Sequence, residues 1–373
     1  MELEKLRKLY PQHWEKANAI RVLTLDAVAA ANSGHSGMPI GMADVATILF
    51  EKHLKFSTAQ PNWPDRDRFI LSAGHGSMLL YSVAYLCGYA DFDIDQLKNF
   101  RQLGKKTAGH PENFLSDVIE TTTGPLGQGI ANSVGFAIAE ESLRARFGRN
   151  IIDHHTFVIA GDGCLMEGVS QEAISLAGHL RLHKLIVFWD NNNITIDGTI
   201  DLTDSTNQKT RFEASGWEVI EIDGHDPEEI DSAISAAKKS EKPTMIACKT
   251  HIAIGTAAQD TSKGHGALTD PELIKNAREV YQWSHKPFDI PKSIKEQWEQ
   301  AGLEGDKAFK RWRSNLENLS NSKRKEFERI FSGDAPKKLT SAIRKFKKES
   351  SAASPAIATR KSSEMTLNAV NSI

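Results

Sequence analysis

Short runs of β-branched and aromatic residues, each cut off by glycine, aspartate, asparagine or histidine, alternate along this chain with stretches whose apolar positions recur at helical spacing. The runs at 68–72, 156–160, 185–189, 217–222 and 244–250 read as strands. Their nearly continuous apolar character predicts burial on both faces. Helical periodicity covers 14–31, which stops at Asn32-Ser33-Gly34, and then 42–54, 77–88, 129–146, 172–182 and 227–240. Strands alternating with helices predict an α/β fold, a parallel sheet flanked by helices. From Lys292 onward the texture becomes charged amphipathic helix, at 295–302 and 305–331, and then a basic stretch at 337–349 and a small, polar one at 350–355. This divides the chain into a main domain at 1–332, a helical, basic and Ser/Ala-rich linker at 333–356 and a further segment at 357–373. No internal repeat is visible.

Composition narrows the function classes. A chain of 373 residues with 40% apolar content is long enough for two domains, or one large α/β domain, around a sizeable core. The net charge of −2, with acids and bases interspersed, is not the basic footprint of a nucleic-acid binder. No apolar stretch approaches the roughly 18 residues of a membrane span. Residues 1–16 are charged and lack the apolar centre of a signal peptide. Cys87, Cys164 and Cys248 are scattered without metal spacing. A soluble, cytoplasmic protein in a reducing compartment, without nucleic-acid or membrane partners, is the expectation.

The densest chemistry lies between Gly161 and Asn193. Gly161 and Gly163 bracket Asp162 at the end of one expected strand, and Asp190-Asn191-Asn192-Asn193 ends the next, thirty residues after Asp162. A βα unit plus a strand spans about that distance, so Asp162 and Asn192 are expected at neighbouring strand mouths, where α/β sheets bind ligands. A lone Gly-Asp-Gly is a common turn. Paired with the asparagine element it offers two hard oxygen donors, suited to a magnesium diphosphate. The start of the following helix would present free N–H groups to an anion. His35, His75, His110 and His265 each follow a glycine, which lets an imidazole project into a cleft. Each alone could be a loop histidine, but four such turns point to one ligand-facing side. His179 and His225 also follow glycines and read as structural.

The motif at 161–168, the Asn191-Asn192 pair and Ile194-Thr195-Ile196-Asp197-Gly198 resemble the thiamine diphosphate motif of transketolases. Ser33-Gly34-His35-Ser36-Gly37, Ser72-Ala73-Gly74-His75-Gly76, Gly109-His110-Pro111-Glu112, the glycine-rich turn at 122–129 and Gly264-His265-Gly266 match that family in its order, over essentially the whole chain. The resemblance implies a thiamine diphosphate-binding main domain. Cofactor contacts would come from His75, Gly124, Pro125, Leu126, Asp162, Gly163, Glu167, Asn192 and His265. The metal, Mg²⁺ or in its place Ca²⁺ or Mn²⁺, would be held by Asp162, Asn192 and the Ile194 carbonyl. Catalytic and sugar-channel roles fall to His35, His110 and His265, and Arg360 would grip a substrate phosphate. Glu167 would also lie near a subunit interface.

The implied reaction is transfer of a two-carbon ketol unit between sugar phosphates, in the pentose phosphate pathway, by a homodimer. Hard chemistry would stay on the cofactor while the protein binds and bends it. In the family a second, pyrimidine-binding domain supplies a glutamate that activates the cofactor; residues 357–373 resemble only its opening, and no such glutamate can be nominated. Residues 1–373 by themselves are therefore expected to turn over poorly without a partner pyrimidine-binding domain. Two alternatives stay open at this point. One is a catalytically silent cofactor-binding or dimerisation module; the other is a superfamily relative such as deoxyxylulose-phosphate or dihydroxyacetone synthase.

Overall fold

The computed structural model describes residues 1–371 and 373. Five parallel strands form one sheet in the order β1-β2-β3-β5-β4. They are β1 (Arg68–Leu71), β2 (Thr156–Gly161), β3 (Leu185–Asn191), β4 (Glu218–Asp223) and β5 (Thr244–Lys249). β1, β2, β3 and β5 are buried along almost their entire length, as their apolar runs required, whereas the edge strand β4 is partly exposed. All five strands lie within one residue of their expected starts. The fold is α/β, as the alternation predicted.

The helix Pro11–Ala31 is buried over most of its length, including Asn18, Arg21 and Thr24. It ends where expected because Asn32 adopts the left-handed conformation (φ 48°) and donates its N–H to Ala29 O. The single helix expected at 42–54 is instead Gly37–Gly41, Ala43–Ile48 and a wide π-turn, Leu49–His53. In the early part Gly37 packs against the 252–264 loop too closely for a side chain, and a Cβ on Gly41 would lie a tight 3.1 Å from His251 O. Ahead of the helix expected at 172–182 there is an extra helical turn, Asp162–Met166, and the helix itself is Gly168–His179.

The largest difference lies near the C-terminal end. Glycines at 302 and 305 suggested a break, yet one helix, Lys292–Glu317, runs through both. A Cβ on Gly302 would sit 2.9 Å from Thr58 Cγ2, and one on Gly305 2.5 Å from the Phe56 carbonyl carbon. These glycines permit close helix packing rather than ending a helix. The chain divides into two compact units, Met1–Arg313 and Ser314–Ile373. The expected divisions after residues 332 and 356 both fall inside the second unit. That unit holds the helices Asn321–Ser332, Leu339–Ala353 and Thr359–Asn371, and the last two bury no residue. Among the described residues, no helix is long and apolar enough to cross a membrane.

Candidate active site

Parallel pairing of β2 with β3 sets Gly161 opposite Asp190, so Asp162 and Asn192 step off the carboxyl ends of neighbouring strands. The Asp162 side chain is buried; its Oδ1 accepts from Trp189 Nε1–H at 2.8 Å, and its Oδ2 has no partner. Burial pushes this carboxyl up to about 7, and the nearby Asp190 carboxylate adds to the shift while the Trp189 hydrogen bond opposes it. Asp190, beneath the same mouth, is raised by burial to about 6 despite hydrogen bonds from Thr250 and Asn192. Asn192 donates Nδ2–H to Asp190 Oδ2 at 2.8 Å and accepts from Ile194 N–H at 2.9 Å. Two desolvated carboxyls, one with an unsatisfied oxygen, next to an amide oxygen with a spare lone pair, suit a hard cation. Among the described residues no three His, Cys, Asp or Glu side chains converge. A cation here would draw its remaining ligands from neutral oxygens and from the bound molecule.

The turn at 124–127 faces this mouth. Gly124 (φ 140°) and Gly127 (φ 82°) occupy positions that side chains tolerate poorly, and Gly127 caps the helix Gln128–Phe147. A Cβ on Gly163 would lie 3.0 Å from Leu126 Cδ1, and one on Gly127 2.8 Å from Glu167 Cβ. The structure thus brings Leu126, Gly163 and Glu167 together, with Pro125 exposed in the same turn and Glu167 exposed at the start of Gly168–His179.

Three imidazoles cluster beside that turn. Ring centroids are 5.1 Å apart for His35–His75, 5.6 Å for His35–His265 and 5.0 Å for His75–His265. The His35 and His265 segments are sewn together by Ser36 N–H to Gly266 O at 2.9 Å and Leu268 N–H to Ser36 Oγ at 3.2 Å. Gly74 lets the His75 turn approach Gly124 N, where a Cβ would stand at 2.7 Å. His110 is more exposed and packs on Gly124, its segment held by Ser77 Oγ–H to Gly109 O and Tyr81 Oη–H to Ala108 O. Sequence reasoning missed Arg101, which has no glycine–histidine signal. It donates to Ser33 Oγ at 2.8 Å, and its charge disfavours protonation of both His35 and His110. Only its left-handed backbone (φ 61°), visible in the structure alone, marks it out.

Burial, reinforced by mutual repulsion, lowers His35 to about 4 and His75 to about 3, and burial lowers His265. Neutral imidazoles keep both an N–H donor and a nitrogen acceptor, which suits proton exchange with hydroxyl groups. Because the folded-state values lie below the ordinary 6.5, the stability from these groups is complete above pH 6.5 and is lost as pH falls through about 4 for His35 and about 3 for His75. Ring ¹⁵N shifts should therefore show His35 and His75 neutral at pH 5; a midpoint near 6.5 for either would contradict this environment.

A concavity of about 880 Å³ lies elsewhere, lined by Ala29, Ile274, Trp283 and Phe288, and holds none of these groups. Arg360 is exposed on Thr359–Asn371, in the other unit.

Residues 12–336 match the family described as "Transketolase, thiamine diphosphate binding domain". The transketolase of Rhodobacter capsulatus is 56% identical over 374 residues, covering 100% of this chain and 56% of that protein. The solved Leishmania mexicana transketolase superposes with a TM-score of 0.89 at 39% identity, covering 96% of this chain and 54% of the other. A Pichia stipitis transketolase solved with sedoheptulose 7-phosphate gives a TM-score of 0.87 at 38% identity, with the same two coverages, 96% and 54%. The chain spans about half the length of the curated relatives it matches. With a family model matching most of its length and relatives this similar, the chain belongs to the transketolase family.

Proposed function

We propose that this chain is the cofactor-binding half of a transketolase, which moves a two-carbon ketol unit from a ketose phosphate to an aldose phosphate. The unpaired, buried Asp162 Oδ2 at the paired strand mouths carries this reading. Asp162, Asn192 and the Ile194 carbonyl would hold Mg²⁺, or Ca²⁺ or Mn²⁺ in its place, against a diphosphate. Thiamine diphosphate, when bound, supplies the electron sink for carbon–carbon cleavage. Gly124, Pro125, Leu126, Gly163 and Glu167 shape its cradle, and His75 and His265 reach its diphosphate or reacting carbon. His35, His110 and His265 donate and accept protons at sugar hydroxyls, while Arg360 receives the substrate phosphate.

The sedoheptulose 7-phosphate complex of the Pichia relative supports sugar phosphates as substrates. Completion of the site by a pyrimidine-binding domain, from a homodimer partner or another polypeptide, belongs to the same proposal. So do a cytoplasmic location and a place in the pentose phosphate pathway. The relatives are named transketolases, which does not favour the silent-module and sister-synthase readings. Calorimetric titration with thiamine diphosphate should show binding only when Mg²⁺ is present, and two-carbon transfer should appear once a pyrimidine-binding domain is supplied. Absence of cation-dependent binding would sink the reading.

A further inference from the structure

A buried ionic knot lies outside the groups assigned to the reaction. Asp44, fully buried on Ala43–Ile48, accepts at Oδ1 from His13 Nε2–H at 2.9 Å. Its Oδ2 accepts from Arg21 and from His225 Nδ1–H, the latter at 2.7 Å. Burial opposes its ionisation, but the Arg21 guanidinium and the hydrogen bonds from His13 and His225 outweigh that and hold the carboxyl well below its usual range.

Two arms leave this knot. Arg21 Nε–H donates to Ile40 O at 3.2 Å, in the short helix Gly37–Gly41 that begins two residues after His35. On the other arm, His225 Nε2 accepts from the backbone N–H of His251 at 3.1 Å, where the loop leading to His265 begins. The two segments then close on each other: Ala253 N–H donates to Gly37 O at 3.2 Å, and a Cβ on Gly37 would lie 2.5 Å from Ile252 Cγ1. His225 can serve both partners in one form alone, neutral with its proton on Nδ1. Around it stand Asp44, Arg21, Asp223, the Met1 amino group and the stacked His251 ring.

We propose that Asp44 and His225 are positioning residues: one carboxylate, acting through the Arg21–Ile40 and His225–His251 arms, fixes the backbone segments that place His35 and His265 against each other. The inference rests on the proposed reading of that cluster, but its geometry can be tested without it.

Asparagine at 225 offers its N–H at the Nδ1 position and loses the acceptor for His251; glutamine reproduces the acceptor at the Nε2 position. In His225→Asn, whose buried carboxylate keeps a donor, amide exchange over 251–266 should accelerate at least about tenfold. The ring titrations of His35 and His265 should move toward 6.5, and kcat of the complete enzyme should fall about tenfold with KM changed less than twofold. His225→Gln keeps an acceptor for His251 but gives up the donor to Asp44, so its exchange and ring titrations should move in the same direction as those of His225→Asn, by less than half as much. Unchanged exchange and ring titrations in His225→Asn would overturn the proposal. Equal disturbance in both variants, or collapse of both folds, would assign His225 to packing and overturn it as well. Failure of the parent to bind thiamine diphosphate would sink the functional reading, and the exchange and ring measurements would still decide this one.

Discussion

Asp162→Asn should weaken cation-dependent thiamine diphosphate binding by at least roughly 100-fold while making the apo protein more stable above pH 7. Both effects have one cause, a carboxylate desolvated without a partner for Oδ2. Its folded-state value, about 7, lies above the unfolded 3.8. The stability compatible with this group is thus complete below pH 3.8, declines as pH rises, and is gone above about pH 7. An isosteric amide keeps an oxygen for the Trp189 N–H and has no charge to bury. The gain is on the order of 4 kcal/mol at pH 8, or roughly 5 °C in Tm, and it is smaller at pH 5. Thermal unfolding of parent and variant at the two pH values checks this; coincident curves at pH 8 would show that Asp162 is already neutralised by other means.

The second large effect is structural. Gly305→Ala should cost about 4 kcal/mol or more, because the new methyl would meet backbone, not a movable side chain, at Phe56. The helix Lys292–Glu317 cannot back away freely. Trp298 is buried, Trp312 donates to Ile151 O at 2.8 Å, and Asp306 accepts from Ser57. Gly135→Ala is the control: it lies inside Gln128–Phe147, and its Cβ would meet nothing within 4 Å. There the change should stabilise by about 0.5–1 kcal/mol, since glycine is the poorer helix former. Urea unfolding of the two variants should move in opposite directions. A small, same-direction change for both would mean that the helix does not seat on Phe56.

Gly305 also shows what the sequence could and could not disclose. Strands were legible because burial on both faces leaves a contiguous apolar signature, as in Leu185–Trp189, and the neighbouring positions of Asp162 and Asn192 because each follows such a run. A glycine inside a helix is ambiguous by nature: the same residue type ends a helix at Gly88, through its left-handed backbone, and admits a neighbour's backbone at Gly305. Only the partner distinguishes these cases, and Phe56 is remote in sequence. Arg101 stayed hidden for the same reason, its meaning coming from Ser33, His35 and His110 around it. His225, read as structural, indeed sits in a buried polar network, although its two-sided hydrogen bonding depends on Asp44 and His251, which no local pattern connects.

Strand order has a consequence for how the molecule comes into being. β5 lies between β3 and β4, so among the described residues β4 has β5 as its sole strand neighbour. A ribosome working from the N-terminus makes residues 218–223 before that neighbour exists. Until residues 244–249 emerge, the flank of β3 that carries Asp190 and Asn191 is an open ladder, and β4 has nothing to zip onto. The edge strand β4 can therefore join the sheet only once β5, made after it, is in place.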